Sequence, residues 1–268
     1  MDIIHQLSPV LHIFWESTST TVEGFWGLLG LGAFTLVFVL FTLRAWNRRP
    51  FAIRALPAVQ RARAAVGRAM ETGEGVDVAL GTGRVGDLNT ADTLAGLSLV
   101  SYLAKRGAQA EIPVHVRVAE PTALAAALAS LQQGAQSTGY PQTYHPRQGE
   151  FVAPSPLGYG AGVAAAMGRD PVALNALVGT FGPEMLLIAQ AGLHSRTIQV
   201  GGTSAPTIQP LFYSTMDAAL IGEEIYALGA ALDRPEHTGS LATQDLFRAA
   251  IAVGILAATV LALVGKLS

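Results

Sequence analysis

The chain contains no cysteine, which removes disulfides, thiolate nucleophiles, iron–sulfur clusters and thiolate zinc sites together. Charge is scarce as well: 13% of the 268 residues are Asp, Glu, Lys or Arg, against about 25% in an ordinary soluble domain. Only Lys105 and Lys266 are lysines, and no Lys or Arg precedes Arg44. Internal repeats and low-complexity linkers are lacking too. What is abundant is apolar: 50% of the residues, with a mean hydropathy of +0.39. A chain so short of charge and so rich in apolar side chains points to a membrane, and its length allows one sizeable folded domain besides.

Gly24 to Leu43 is a run of twenty residues without a charge, and at about 1.5 Å per residue it spans a hydrocarbon core of about 30 Å. Trp26 and Trp46 fall where aromatic belts lie. A second run, from Ala249 to Gly265, has seventeen uncharged residues between Arg248 and Lys266, the short end of the spanning range. We set this second crossing at 246–265. Its small residues Gly254, Ala258 and Ala262 recur every fourth position, a smooth stripe along which another helix can approach closely. That stripe is the expected oligomer interface, with packing on the first anchor, which carries Gly27, Gly30 and Gly32, as the alternative.

Arginines set the orientation. Arg44, Arg48, Arg49, Arg54, Arg61, Arg63 and Arg68 follow the first anchor with no acid before Glu71, whereas Asp2, Glu16 and Glu23 precede it. The positive-inside rule then places the middle of the chain in the cytoplasm and both termini outside. Arg44, Arg48, Arg49 and Arg54 form a basic arm suited to anionic lipid headgroups. Nucleic acid is not expected as a partner, because Ala69 to Phe247 carries eight basic residues against sixteen acidic ones. Ile3, Ile4, Leu7, Val10, Leu11, Phe14 and Trp15 recur at helical spacing, so residues 1–23 read as an external segment able to lie in the interface.

Beyond the arm and helix of residues 44–71, residues 72–242 alternate in type. Short apolar runs suited to buried strands occur at Val76–Leu80, Pro113–Val118, Glu150–Ala153, Leu174–Gly179, Thr197–Val200 and Asp217–Ile221. Helical periods lie between them at Thr90–Arg106, Pro121–Gln133, Leu157–Met167, Glu184–Ala191 and Ile208–Met216, with Glu223–Leu232 after the last. Strands joined by crossovers of a dozen residues or more form a parallel sheet covered by helices. The fold class is therefore α/β, one cytoplasmic domain between two transmembrane helices.

In open parallel sheets ligands bind beyond the carboxyl ends of the strands, and glycine recurs there. Gly81, Thr82, Gly83 and Arg84 begin a stretch that, through Gly86, matches the dinucleotide fingerprint in form. The match is incomplete, since Asp87, Leu88 and Asn89 intervene before the helical pattern and no acid closes a second strand at the usual distance. Gly201, Gly202 and Thr203 form a second candidate, with Glu223 nearby. The plainer reading of these glycines is tight strand-to-helix turns, and of Glu223 and Glu224 a helix start that favours negative charge. His115, His145, His194 and His237 are not arrayed with a serine and an acid, and no metal-binding or catalytic set is expected; a cofactor is not identifiable. Gly158, Gly160 and Gly162 ask for a close neighbour, either the sheet or another protomer.

The segments DTLAGLSLVSYLAKRGA, SPLGYGAGVAAAM, IQVGGTSAPTIQPLF and ALIGEEIYALGAAL, placed between an arginine-rich exit from the first anchor and a closing anchor, resemble an uncharacterised family of bacterial membrane proteins of Chloroflexi type. The resemblance implies a Rossmann-like domain in a bacterial cell membrane and carries no activity. Two functions follow as expectations. One is a membrane-anchored scaffold or accessory subunit that self-associates, as a homo-oligomer, or docks a partner; the other is a nucleotide or small-molecule binding domain, enzymatic or not, built on the glycine loops.

Overall fold

The structure, a computed structural model, describes residues 22–46, 56–232 and 238–267. The chain divides into two compact units, Arg54–Arg234 and the paired segments Met1–Ile53 and Pro235–Ser268. In the paired segments, α1 runs Val22–Trp46 and a long helix runs Thr238–Leu267. An edge-to-face contact between Phe34 and Phe247, with ring centroids 5.0 Å apart, joins them. Among the described residues one helix, over Gly27–Arg44, is long and apolar enough to cross a membrane by length and composition. Arg44 stands in the last turn of α1. Arg48, Arg49, Arg54 and the proposed interfacial segment up to residue 21 lie outside the described residues. Gly254 lies in the long helix with open space where a side chain would be. The side chains of Ala258 and Ala262 fall outside the described set.

The unit Arg54–Arg234 opens with α2 (Pro57–Thr72), which starts on Pro57 and ends at Gly73 in the left-handed conformation, as such termini commonly do. There follow β1 (Gly75–Gly81), α3 (Thr90–Ala110), β2 (Val114–Val118), α4 (Pro121–Ser137), β3 (Gly149–Phe151), α5 (Pro156–Met167), β4 (Val172–Thr180), α6 (Met185–His194), β5 (Ile198–Thr203), α7 (Gln209–Thr215) and β6 (Ala218–Ile221). A 3₁₀ segment, Gly222–Ala227, and α8 (Leu228–Leu232) close the unit. All six strands pair in parallel in the order β3-β2-β1-β4-β5-β6. That order is the one the doubly wound dinucleotide-binding fold uses. Each expected strand is found within three residues of its sequence assignment, the largest difference being at β5, which runs on to Thr203.

Helices cover both faces. Val76, Val78, Leu80, Val116, Leu174 and Val178 are buried on the side of α2, α3 and α4. Ala79, Leu177 and Phe181 pack on the opposite side against Tyr159, Val163 and Met167 of α5, Met185 and Ile188 of α6, and Phe212 of α7. This second face also carries a polar row. Asp77 of β1 stands in register with His115 of β2 and Asn175 of β4, and Asn175 in turn with Gln199 of β5. Asp77 and Asn175 are fully buried. Asp77 pairs with Arg117, whose Nε also donates to Glu150 at 3.2 Å. Asn175 donates to Gln199 at 3.2 Å, and Gln199 donates to the Ala189 carbonyl at 3.0 Å. An ion pair inside a sheet is tolerated only when both partners are held, because removing either leaves a desolvated charge.

Candidate functional site

The strand order reverses between β1 and β4, and in this architecture the ligand crevice opens beyond their carboxyl ends. Both strands end in glycines that close it. Gly81 has φ +75° and Gly179 φ +151°; a Cβ on Gly81 would collide with the Thr180 carbonyl oxygen, and one on Gly179 with that of Leu80. The two strand ends thus touch backbone to backbone. Thr82 donates its N–H to the Thr180 carbonyl at 2.9 Å, and a Cβ on Gly83 would press on the hydroxyls of Thr93 and Thr180.

A phosphate-binding glycine loop offers free backbone N–H groups to its anion. Here several of the loop's amides are already engaged. Val85 donates to Thr122 Oγ1 at 3.2 Å, Gly86 and Asp87 to Thr90 Oγ1 at 2.8 and 2.9 Å, and Asn89 to Asp87 Oδ1 at 2.8 Å. Arg84 is held by Glu120 at 2.8 Å and lies 3.7 Å from Asp87. Glu120 follows β2 directly, the place where the dinucleotide fold puts its ribose-binding acid. It stands 34 residues beyond Gly86, where that fold's usual distance is about 20, because α3 is 21 residues long. The acid reaches the right strand end and ties down the loop.

Gly201 and Gly202 lie inside β5 rather than in a loop. A Cβ on Gly201 would meet the Leu177 carbonyl at 2.6 Å, and one on Gly202 the Leu220 carbonyl at 2.5 Å. Thr203, fully buried, ends that strand. Beyond it Ser204 reaches Asp92 in the first turn of α3, with Oγ donating at 2.8 Å and N–H at 3.3 Å to Oδ2. Tyr226 of the 3₁₀ segment donates to Oδ1 of the same Asp92 at 2.7 Å. Desolvation raises the Tyr226 phenol above its ordinary range, and the hydrogen bond to Asp92 adds to the rise. Asp92 is 4% exposed and joins α3, β5 and the segment leaving β6.

The structure thus brings the Gly81–Arg84 stretch and the Thr203 end of β5 to one edge of the sheet. Glu223 is exposed in the 3₁₀ segment after β6, while Glu224 caps the Ile221 N–H at 3.2 Å. Glu184, buried, accepts from the Gly182 N–H at 2.7 Å. Among the described residues no group of three or more His, Asp or Glu is arranged for a metal ion. The α5 glycines serve this fold itself: a Cβ on Gly160 would press on the Glu184 backbone and one on Gly162 on the Val152 side chain.

Sequence reasoning missed Asp92, Tyr226 and Tyr159, and it reads Ser204 as an ordinary turn residue at a strand end. Tyr159 is fully buried; its hydroxyl accepts from the Gly81 N–H at 3.0 Å and donates to the Arg117 carbonyl at 3.0 Å. Burial pushes its phenol far above the ordinary tyrosine range. Burial also lowers the Arg117 guanidinium, against the pull of Glu150. The available signal was a charge inside apolar strands, as in Val76-Asp77-Val78 and Val116-Arg117-Val118. Tyr159 gave none, since a tyrosine in an apolar helix reads as core.

Fold and site together define an α/β chain that has, among the described residues, one helix fit to cross a membrane, and whose switch-point loop is tied down by side chains of the same domain. The chain belongs to the family described as Domain of unknown function (DUF6754), whose model matches residues 17–268. No curated protein and no solved structure matches it.

Proposed function

We propose that the protein is a non-catalytic scaffold of a bacterial cell membrane, crossing it twice with both termini outside, whose cytoplasmic α/β domain self-associates through the layer α5–α6–α7. One observation carries this reading. The three helices that cover one face of the sheet contain no Asp, Glu, Lys or Arg, yet they form an outer surface. Leu157 is 71% exposed, Leu193 74% and Tyr213 72%, with Leu186 and Leu187 each at 39%.

These five side chains present on the order of 550 Å² of apolar surface, a large part of the ~800 Å² that each partner contributes to a standard interface. Ala161, Ala165 and Gln190, also exposed, extend it without charge. Exposed apolar surface of this extent on an uncharged layer favours an interaction site. A second copy is the occupant we favour, because about a twofold axis each copy meets the other with the same uncharged surface and no countercharge is required. Confinement to one membrane raises the effective concentration of copies. The engaged amides at the switch point support a scaffold over a nucleotide-binding domain.

The full-length protein in lipid nanodiscs, weighed by native mass spectrometry, tests this. The unaltered chain should be a dimer or larger, and Leu157→Glu with Leu193→Glu should reduce it to a monomer with its thermal midpoint kept. A monomeric unaltered chain sinks the reading. Dissociation by Gly254→Leu with Ala258→Leu but not by the glutamates would move the contact into the lipid.

A further inference from the structure

The opposite edge of the sheet holds a second feature. At the amino end of β2 a groove of about 760 Å³ opens between the α3–β2 turn and residues 142–148, within the 300–1,000 Å³ typical of small-molecule sites. Ile112 and Pro113 give it an apolar wall; His115, His145 and Arg147 line it with nitrogen-bearing side chains, and Glu111 is the acid among its lining residues.

The loop forming the far wall is preorganised. Gln148 accepts the His145 N–H at 2.9 Å with its Oε1 and donates from Nε2 to the Thr143 carbonyl at 3.3 Å, while Thr143 Oγ1 donates to the Tyr140 carbonyl at 2.8 Å. Two 3₁₀ turns, Pro141–Thr143 and Pro146–Gln148, each begin on a proline. Arg147 and the two imidazoles take part in no ion pair or side-chain hydrogen bond among the described residues. By contrast Arg84 and Arg117 are each held by carboxylates. A groove lined by a guanidinium and two imidazoles without partners of their own offers an anion several N–H donors.

We infer that this groove binds a small amphiphilic anion, an organic phosphate whose phosphate is held by Arg147 and His145 and whose apolar body lies on Ile112 and Pro113. Glu111 and the carboxyl end of α3 limit the charge it accepts, which favours a monoester over a polyphosphate. The phosphate could be that of a soluble metabolite or of a lipid headgroup.

Phenyl phosphate is the probe, titrated by calorimetry into the full-length protein in phosphatidylcholine nanodiscs. One site per chain is expected, with inorganic phosphate at least fivefold weaker and Arg147→Gln at least tenfold weaker than the unaltered protein. Arg147 is exposed, so the variant should keep its thermal midpoint. A parallel titration in nanodiscs containing phosphatidic acid, whose headgroup is a phosphate monoester, at equal ionic strength separates the sources. Loss of phenyl phosphate binding there identifies a headgroup as the occupant, and retention identifies a soluble phosphate. Absence of binding at 10 mM probe on the order of ten times a weak site's dissociation constant, or binding that survives Arg147→Gln, overturns the inference. The scaffold reading stands or falls separately, on the oligomer.

Discussion

Replacing Tyr159 by Phe should destabilise the α/β unit in a way that depends on pH. The ring remains, so packing against Val163, Phe181 and Met185 is kept and the loss is confined to the hydroxyl. That hydroxyl is the acceptor for the Gly81 N–H and the donor to the Arg117 carbonyl. Removing it leaves a buried donor unpaired, which costs about 1–3 kcal/mol, and the deserted carbonyl adds less because it has a second lone pair. For a unit of this size about 2 kcal/mol lowers the thermal midpoint by roughly 4–8 °C.

The pH dependence has a definite sign. A tyrosine in the unfolded chain ionises near 10.0, whereas the buried Tyr159 holds its proton to well above that. Above pH 10 the unfolded state therefore binds fewer protons than the folded one, so the stability this group contributes, fully present at lower pH, declines as pH rises. Its slope is up to about 1.4 kcal/mol per pH unit. The Phe variant lacks this loss, so the gap between the two proteins should be widest near neutral pH and narrow steadily above pH 10. Tyr226 shifts in the same direction but is common to both proteins and cancels. Thermal unfolding of the nanodisc-embedded chain, followed by near-ultraviolet circular dichroism from pH 7 to 11, is the assay. A gap that stays constant across this range, or one under about 0.5 kcal/mol throughout, would refute the reasoning.

Arg117→Met should cost about 3–5 kcal/mol, because Asp77 is left desolvated and unpaired, and adding Asp77→Leu should recover most of it; chemical denaturation of the two variants measures the recovery. The orientation is checked with single cysteines, which the chain otherwise lacks: Ser17→Cys should label from outside intact cells and Ser137→Cys should not, and the opposite pattern would reverse the topology.

Much of this fold was legible because its strands are buried on both faces. Val76–Leu80 and Leu174–Gly179 each read as an apolar run interrupted by one polar residue, Asp77 and Asn175, because parallel strands between two helical layers have no solvent side. Prolines at 57, 121 and 156 mark helix starts that the structure keeps. The polar row was illegible for a related reason: one sequence cannot tell which strands become neighbours. Asp77, Asn175 and Gln199 are 98 and 24 residues apart, and only the β1–β4–β5 pairing makes them a row. Asp92, Ser204 and Tyr226 converge for the same reason, on three elements that the crossovers bring to one edge. The uncharged character of Leu157–Met167 and Met185–His194 was visible, but not that the leucines point outward.

The glycines show why the binding-loop and turn readings could not be separated before the fold was known. Both need the same thing, a missing Cβ, so both select glycine at the end of β1. What distinguishes them is where the neighbouring N–H groups go, and that is decided by side chains far along the chain. Thr122, on the helix after β2, takes the Val85 amide, and Glu120 takes the Arg84 guanidinium. An anion entering this loop would have to break those bonds and face Asp87 as well. A loop closed in this way fits a domain whose work is done on its outer surface, and the exposed leucines of α5 and α6, together with Tyr213 of α7, are where that surface lacks the charge an ordinary soluble face carries.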